Sequence, residues 1–163
     1  MSRHSALPSA RRQGGLIVGA FAAVGVALGI VGFVAVDWAR TQFVTAATGS
    51  APETFGPVFV ALSVFQTTIT LFFAGPVVAA ALGLLSGSRF ADVWTATGVA
   101  AGGALVGFFV MAGFGLLGLA LPSGTGTAQT YALGTAVGPL LLSGVATAAT
   151  GGAAGALGSR FVR

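Results

Sequence analysis

The chain contains no cysteine, so disulfides, thiolate metal sites and cysteine nucleophiles are excluded, and nothing marks its redox compartment. It also contains no lysine. All seven basic residues are arginine, a usage that points to a GC-rich prokaryotic genome. Histidine occurs once, as His4, which rules out a multi-histidine metal centre and argues against a histidine-based triad. Charge of either sign is scarce, with Asp, Glu, Lys and Arg making up 6% of the residues, against about 25% in an ordinary soluble domain. A chain with so little charge and a mean hydropathy of +0.97 cannot cover itself with a water-facing surface.

What the sequence has instead is apolar length. Four runs, at about 16–36, 58–85, 93–121 and 131–157, reach the roughly 20 residues that carry a helix across a bilayer. The predicted fold is therefore all-α: a single integral membrane domain of four transmembrane helices, preceded by a basic tail at 1–13 that is expected to be disordered up to Gln13. Asp92, just ahead of the third run, is placed to cap its first turn. Trp38, Trp94 and Tyr131 fall at run ends, where amphipathic rings anchor at the membrane interface. The last three runs are longer than a perpendicular crossing needs, which predicts tilt, kinks or projecting ends. Pro76 and Pro139, each following a glycine inside a run, are the expected kinks.

Arginine placement sets the expected direction. With four crossings, Arg3, Arg11, Arg12, Arg89, Arg160 and Arg163 share one side, and only Arg40, with Asp37 as its expected partner, falls on the other. Excess positive charge in short loops marks the cytoplasmic side, so both termini are expected in the cytoplasm and the protein in the cell membrane. Arg11 and Arg12 superficially resemble a twin-arginine signal, but Gln13, Gly14 and Gly15 follow them where such signals are apolar. The first run is accordingly read as a retained helix. The isoelectric point of about 11.6 reflects these scattered arginines against three acids, and nucleic acid is not expected as a partner.

Glycine is abundant, with 27 residues. Small residues four apart let membrane helices approach closely, and that spacing occurs at Gly15 and Gly19, Gly25 and Gly29, Gly98 and Gly102, Gly103 and Gly107, Gly134 and Gly138, and Gly151 and Gly155. Gly75, Ala79, Gly83 and Gly87 form a longer ladder in the second run. A glycine-rich, tightly packed bundle is expected, with the same pattern equally able to serve a homo-oligomer. The segment 14–21 resembles 102–109, with Gly25 matching Gly113 and Leu28 matching Leu116, and Gly87-Ser88-Arg89-Phe90 recurs as Gly158-Ser159-Arg160-Phe161. These matches suggest a duplicated helical hairpin whose halves are parallel repeats.

Polar groups inside a span are costly and mark sites for scrutiny. Ser63, Gln66, Thr67 and Thr70 share one helical face of the second run, expected near mid-membrane with Leu71 and Phe72 turned toward lipid, and Ser143, Thr147 and Thr150 form a similar stripe in the fourth. Two readings follow: a polar path between the second and fourth helices, with the Gln66 amide as neutral donor and acceptor, or interhelical hydrogen bonds. The second is favoured because no ionisable residue lies within any run, whereas an ion-coupled carrier normally keeps one.

Other motifs fall away on context. Gly113, Gly115 and Gly118 satisfy a dinucleotide-type glycine spacing but sit within an apolar span with no preceding strand, and Gly124–Thr127 reads as a turn. Asp37 and Glu53 can meet on one side of the membrane, away from Asp92. No cofactor or metal is implied. The expected function is a non-enzymatic one exercised in the bilayer, as a structural, accessory or partner-binding component, alone or as a homo-oligomer. The alternative is a small transporter or channel subunit using the two polar stripes.

Overall fold

The structure, a computed structural model, describes the backbone at 6–45, 50–123 and 133–161, and side chains at 9–45, 55–122 and 137–161. Four long helices account for nearly all of it: α1 (Ala6–Arg40), α2 (Ser50–Gly87), α3 (Val93–Ser123) and α4 (Leu133–Arg160), with a five-residue π-helical turn, Thr41–Thr45, continuing α1. All four are long and apolar enough to cross a membrane. Large apolar side chains cover their outside, among them Phe73, Val77, Leu121 and Leu142, each more than two-thirds exposed. A soluble monomer rarely leaves more than a few hundred Å² of contiguous apolar surface in water, so this surface belongs in lipid.

The helices outrun the apolar runs that define them. α1 starts at Ala6, inside the segment expected to be a disordered tail, and α2 starts at Ser50, eight residues before Val58. Apolarity stops where hydrocarbon stops, but the main-chain ladder of a helix stays satisfied in water as well as in lipid. Pro8 and Pro52 fall in the first turns, where their missing N–H has no partner to lose. α4 likewise runs on to Arg160, three residues past Leu157. Pro76 and Pro139 both lie within helix that continues on either side of them. Tyr131, Gly134 and the Gly124–Thr127 turn fall where backbone or side chains lie outside the described residues, as do His4 and the Glu53 side chain.

Contacts along each pair fix the arrangement. Ile17 meets Gly103, Phe21 meets Gly107, Gly25 meets the main chain of Met111 and Gly29 that of Phe114, so α1 and α3 run in parallel. α2 and α4 are parallel by the same test, with Gly75 against Thr147, Gly83 against the Gly151 carbonyl and Gly87 against Gly155. α3 and α4 are antiparallel: Ala104 packs on Gly151 and Ala96 on Gly155. α2 also crosses α3 antiparallel, through Leu71 on Gly115 and Phe108 on Gly75. Among the described residues α1 and α4 do not touch. The bundle is thus a rhombus, with α2 and α3 on its short diagonal and α1 and α4 at its far corners.

The interior is filled by Ile17, Phe21, Leu71, Phe108 and Met111, with Ala79, Ala104 and Ala112 where helices come closest. Leu71, expected to face lipid, is 1% exposed. It follows Thr67 by one turn, and that face of α2 points at α1 and α3, where Gly115 leaves room for it.

Helix ends at both poles are closed by specific groups. The Asp92 carboxylate accepts from the Thr95 N–H at 2.8 Å and the Thr95 hydroxyl at 2.6 Å, which makes it the cap of α3. At the other pole the Arg40 guanidinium donates to the Pro122 carbonyl near the end of α3, a role not visible in the sequence, where Asp37 is its expected partner. A cation there also opposes the negative end of the helix dipole. Phe43, in the π-helical turn, stacks on Phe59 at 4.4 Å and meets Trp38 edge-on at 5.6 Å, while Gly56 admits the Phe43 carbonyl.

Candidate functional site

The α2 stripe exists because α2 carries four short polar residues on adjacent turns of one face. In the folded chain Ser63, Gln66, Thr67 and Thr70 line one wall of a groove of about 160 Å³. The opposite wall belongs to α1, through Leu28, Val31 and Ala35. One wall is polar and the other is apolar.

Depth follows from the pairing of the two helices. Thr67 lies against Gly32, five residues before Asp37, so it stands about 8 Å below the level of Asp37 at 1.5 Å rise per residue. Thr70 stands about 12 Å below it, and Ser63 lies one turn closer to the Arg40 pole. The stripe therefore runs inward from Ser63, nearest the level of Asp37, to Thr70.

Each hydroxyl of the stripe is already engaged by its own helix. Ser63 donates to the Phe59 carbonyl (3.0 Å), Thr67 to that of Ser63 (2.9 Å) and Thr70 to that of Gln66 (2.9 Å). Thr147 and Thr150 in α4 do the same, toward Ser143 (2.6 Å) and Ala146 (2.8 Å). This back-bonding hides the hydroxyl proton without a second helix, so these groups join no two helices among the described residues. Gln66 differs. Its amide is too long to turn back in this way, it is exposed, and among the described residues it finds no hydrogen-bond partner.

Among the described residues the α2 and α4 stripes line no common cavity. Thr147 is fully buried and faces Gly75 and the Phe108 ring on the far side of α2 from the groove. Between the stripes stands the core packing of Leu71, Phe108 and Met111. Gly32, which no pattern in the sequence singles out, also shapes the site by bringing α1 within reach of Thr67, and elsewhere Gly118 lets α3 meet the main chain of Gly29. Gly115 and Gly118, two glycines of the dinucleotide-like spacing, serve helix contact in this way, while Gly113 has open space around it. Compared with protein-family models, with curated proteins and with solved structures, the chain matches none of them.

Proposed function

We propose that this chain acts without catalysis, as a structural, accessory or partner-binding component of the cell membrane, and that the α1–α2 groove is the face through which it docks. The observation that carries this reading is the direction in which the polar stripe opens. It opens sideways, between α1 and α2 onto the outside of the bundle, and not toward α4 across the packed interior. A wall bearing an amide with no partner among the described residues, in a region otherwise covered by lipid, suits another transmembrane segment better than hydrocarbon. The groove itself also favours a second reading, a small transporter or channel subunit, in which water or solute occupies those 160 Å³ or so instead.

The same reading puts both termini in the cytoplasm. Its support is the grouping of Arg11, Arg12, Arg89 and Arg160 at the pole where α1 and α3 begin and α2 and α4 end, with Arg40 at the opposite pole. A duplicated hairpin is supported by matching details in the two Gly-Ser-Arg-Phe segments. Ser88 and Ser159 each donate to the carbonyl three residues earlier, and the Phe90 and Phe161 N–H groups each bond to the glycine that opens the segment. The α1–α3 match is less even: Gly25 is packed against Met111 while its counterpart Gly113 is open. Arginine in place of lysine supports a GC-rich prokaryotic source.

Photo-crosslinking in native membranes tests the docking face. A photoreactive residue at Gln66 or Val31 is expected to give protein adducts, whereas the same residue at Val77 or Leu142, on exposed apolar surface away from the groove, is expected to give lipid adducts only. Lipid adducts alone at all four positions would overturn the docking reading.

A further inference from the structure

The groove wall belongs to a longer pattern on α2. Phe59, Leu62, Gln66, Ile69 and Phe73 are all exposed and follow one another at alternating spacings of three and four residues. That is the heptad seam through which two parallel helices interlock, with Phe59, Gln66 and Phe73 at equivalent positions and Leu62 and Ile69 between them. α2 is also the helix least covered by its own chain: 22% of its most apolar stretch is buried, against 28%, 39% and 33% for α1, α3 and α4. At the centre of the seam lies Gln66, whose amide has no hydrogen-bond partner among the described residues.

We propose that a second copy of this chain covers α2, the two copies packing α2 against α2 around a reciprocal pair of Gln66 amides. The inference rests on the docking reading and names its occupant. Two copies inserted in the same direction that pack the same face against each other are related by a two-fold axis normal to the membrane, which puts each residue at the same depth as its counterpart. Gln66 then faces Gln66. A primary amide both donates and accepts, so the pair satisfies itself with no further group. A single polar residue in an otherwise apolar seam also fixes register, because any slip leaves both amides facing hydrocarbon. A different partner would have to bring a matching polar group to this depth, whereas a second copy brings it by symmetry.

The test is energy transfer between donor- and acceptor-labelled copies of the full chain in phosphatidylcholine bilayers, measured as the lipid-to-protein ratio is raised. Wild-type protein is expected to associate, Gln66→Leu to weaken association about tenfold, and Gln66→Asn to retain most of it. Leu142→Ala, on the exposed face of α4, is expected to change nothing. Since position 66 is exposed on the outside of the bundle, leucine there leaves the core intact, and unchanged helical circular dichroism is the check. Two results would overturn the proposal: a wild-type chain that stays monomeric at every dilution, or a Gln66→Leu chain that associates as well as wild type. The crosslinking at Gln66 separates the causes. Adducts to a different protein together with a monomeric chain leave the docking face standing and remove the second copy, whereas lipid adducts alone remove both.

Discussion

A methyl group is the smallest measure of how closely two helices run. A Cβ added at Gly25 would stand 2.6 Å from both the Cα and the carbonyl oxygen of Met111, main-chain atoms that can yield only if α1 and α3 separate. Gly25→Ala is therefore expected to cost about 1–3 kcal/mol, the range for overpacking a tight site, in unfolding by denaturing detergent. Gly113→Ala meets nothing within 4 Å and should cost nothing by the same assay. Equal losses at the two sites would contradict the packing described. In the sequence these two glycines are counterparts, and nothing in their spacing separates them. Spacing tells which residues share a face. Only the crossing of helices decides which glycines touch: Gly103 and Gly107 receive Ile17 and Phe21, while the equally spaced Gly15 and Gly19 face open space. For the same reason the hydroxyls of Thr67, Thr70 and Thr147 were recognisable as costly groups, but their return to their own helices was not, because that depends on rotamer and not on pattern.

Whole elements were more legible than their ends. Four apolar runs separated by charge, glycine or proline leave little choice but four helices, and the Asp92 cap could be placed because carboxylate capping is a local matter. The reach of α1 back to Ala6 and of α2 back to Ser50 was hidden, since hydropathy reports the solvent around a helix and not its hydrogen bonds. The Arg40 bond to Pro122 was hidden as well, because it joins residues 82 apart. Arg40→Leu removes the donor and the cation at the end of α3, and is expected to cost about 1 kcal/mol and to speed amide hydrogen exchange in the last turn of α3, near Leu119–Leu121. Unchanged exchange there would mean the guanidinium does not hold that end.

At the scale of the molecule, what the bundle can do turns on which way it presents its polar face. Two parallel pairs, α1 with α3 and α2 with α4, pack around an apolar interior, and the α2 stripe is left on the outside beside α1. The sequence brought the stripe residues to one helical face but could not say which helix they would meet; α4 carries the similar stripe, yet α1 carries Gly32 and Ala35 and so is the helix that comes close. A docking face and a water path differ in one property, the access of water to Gln66, Thr67 and Thr70. The absence of cysteine allows it to be measured directly, with single cysteines at these three positions and at Thr41, an exposed residue beyond the end of α1, treated in native membranes with a membrane-impermeant thiol reagent. A docking face predicts labelling at Thr41 and protection at the other three. Labelling at Gln66, Thr67 and Thr70 would contradict it, for water would then reach about 12 Å below Asp37 along α2, and the groove would be a path and not a docking face.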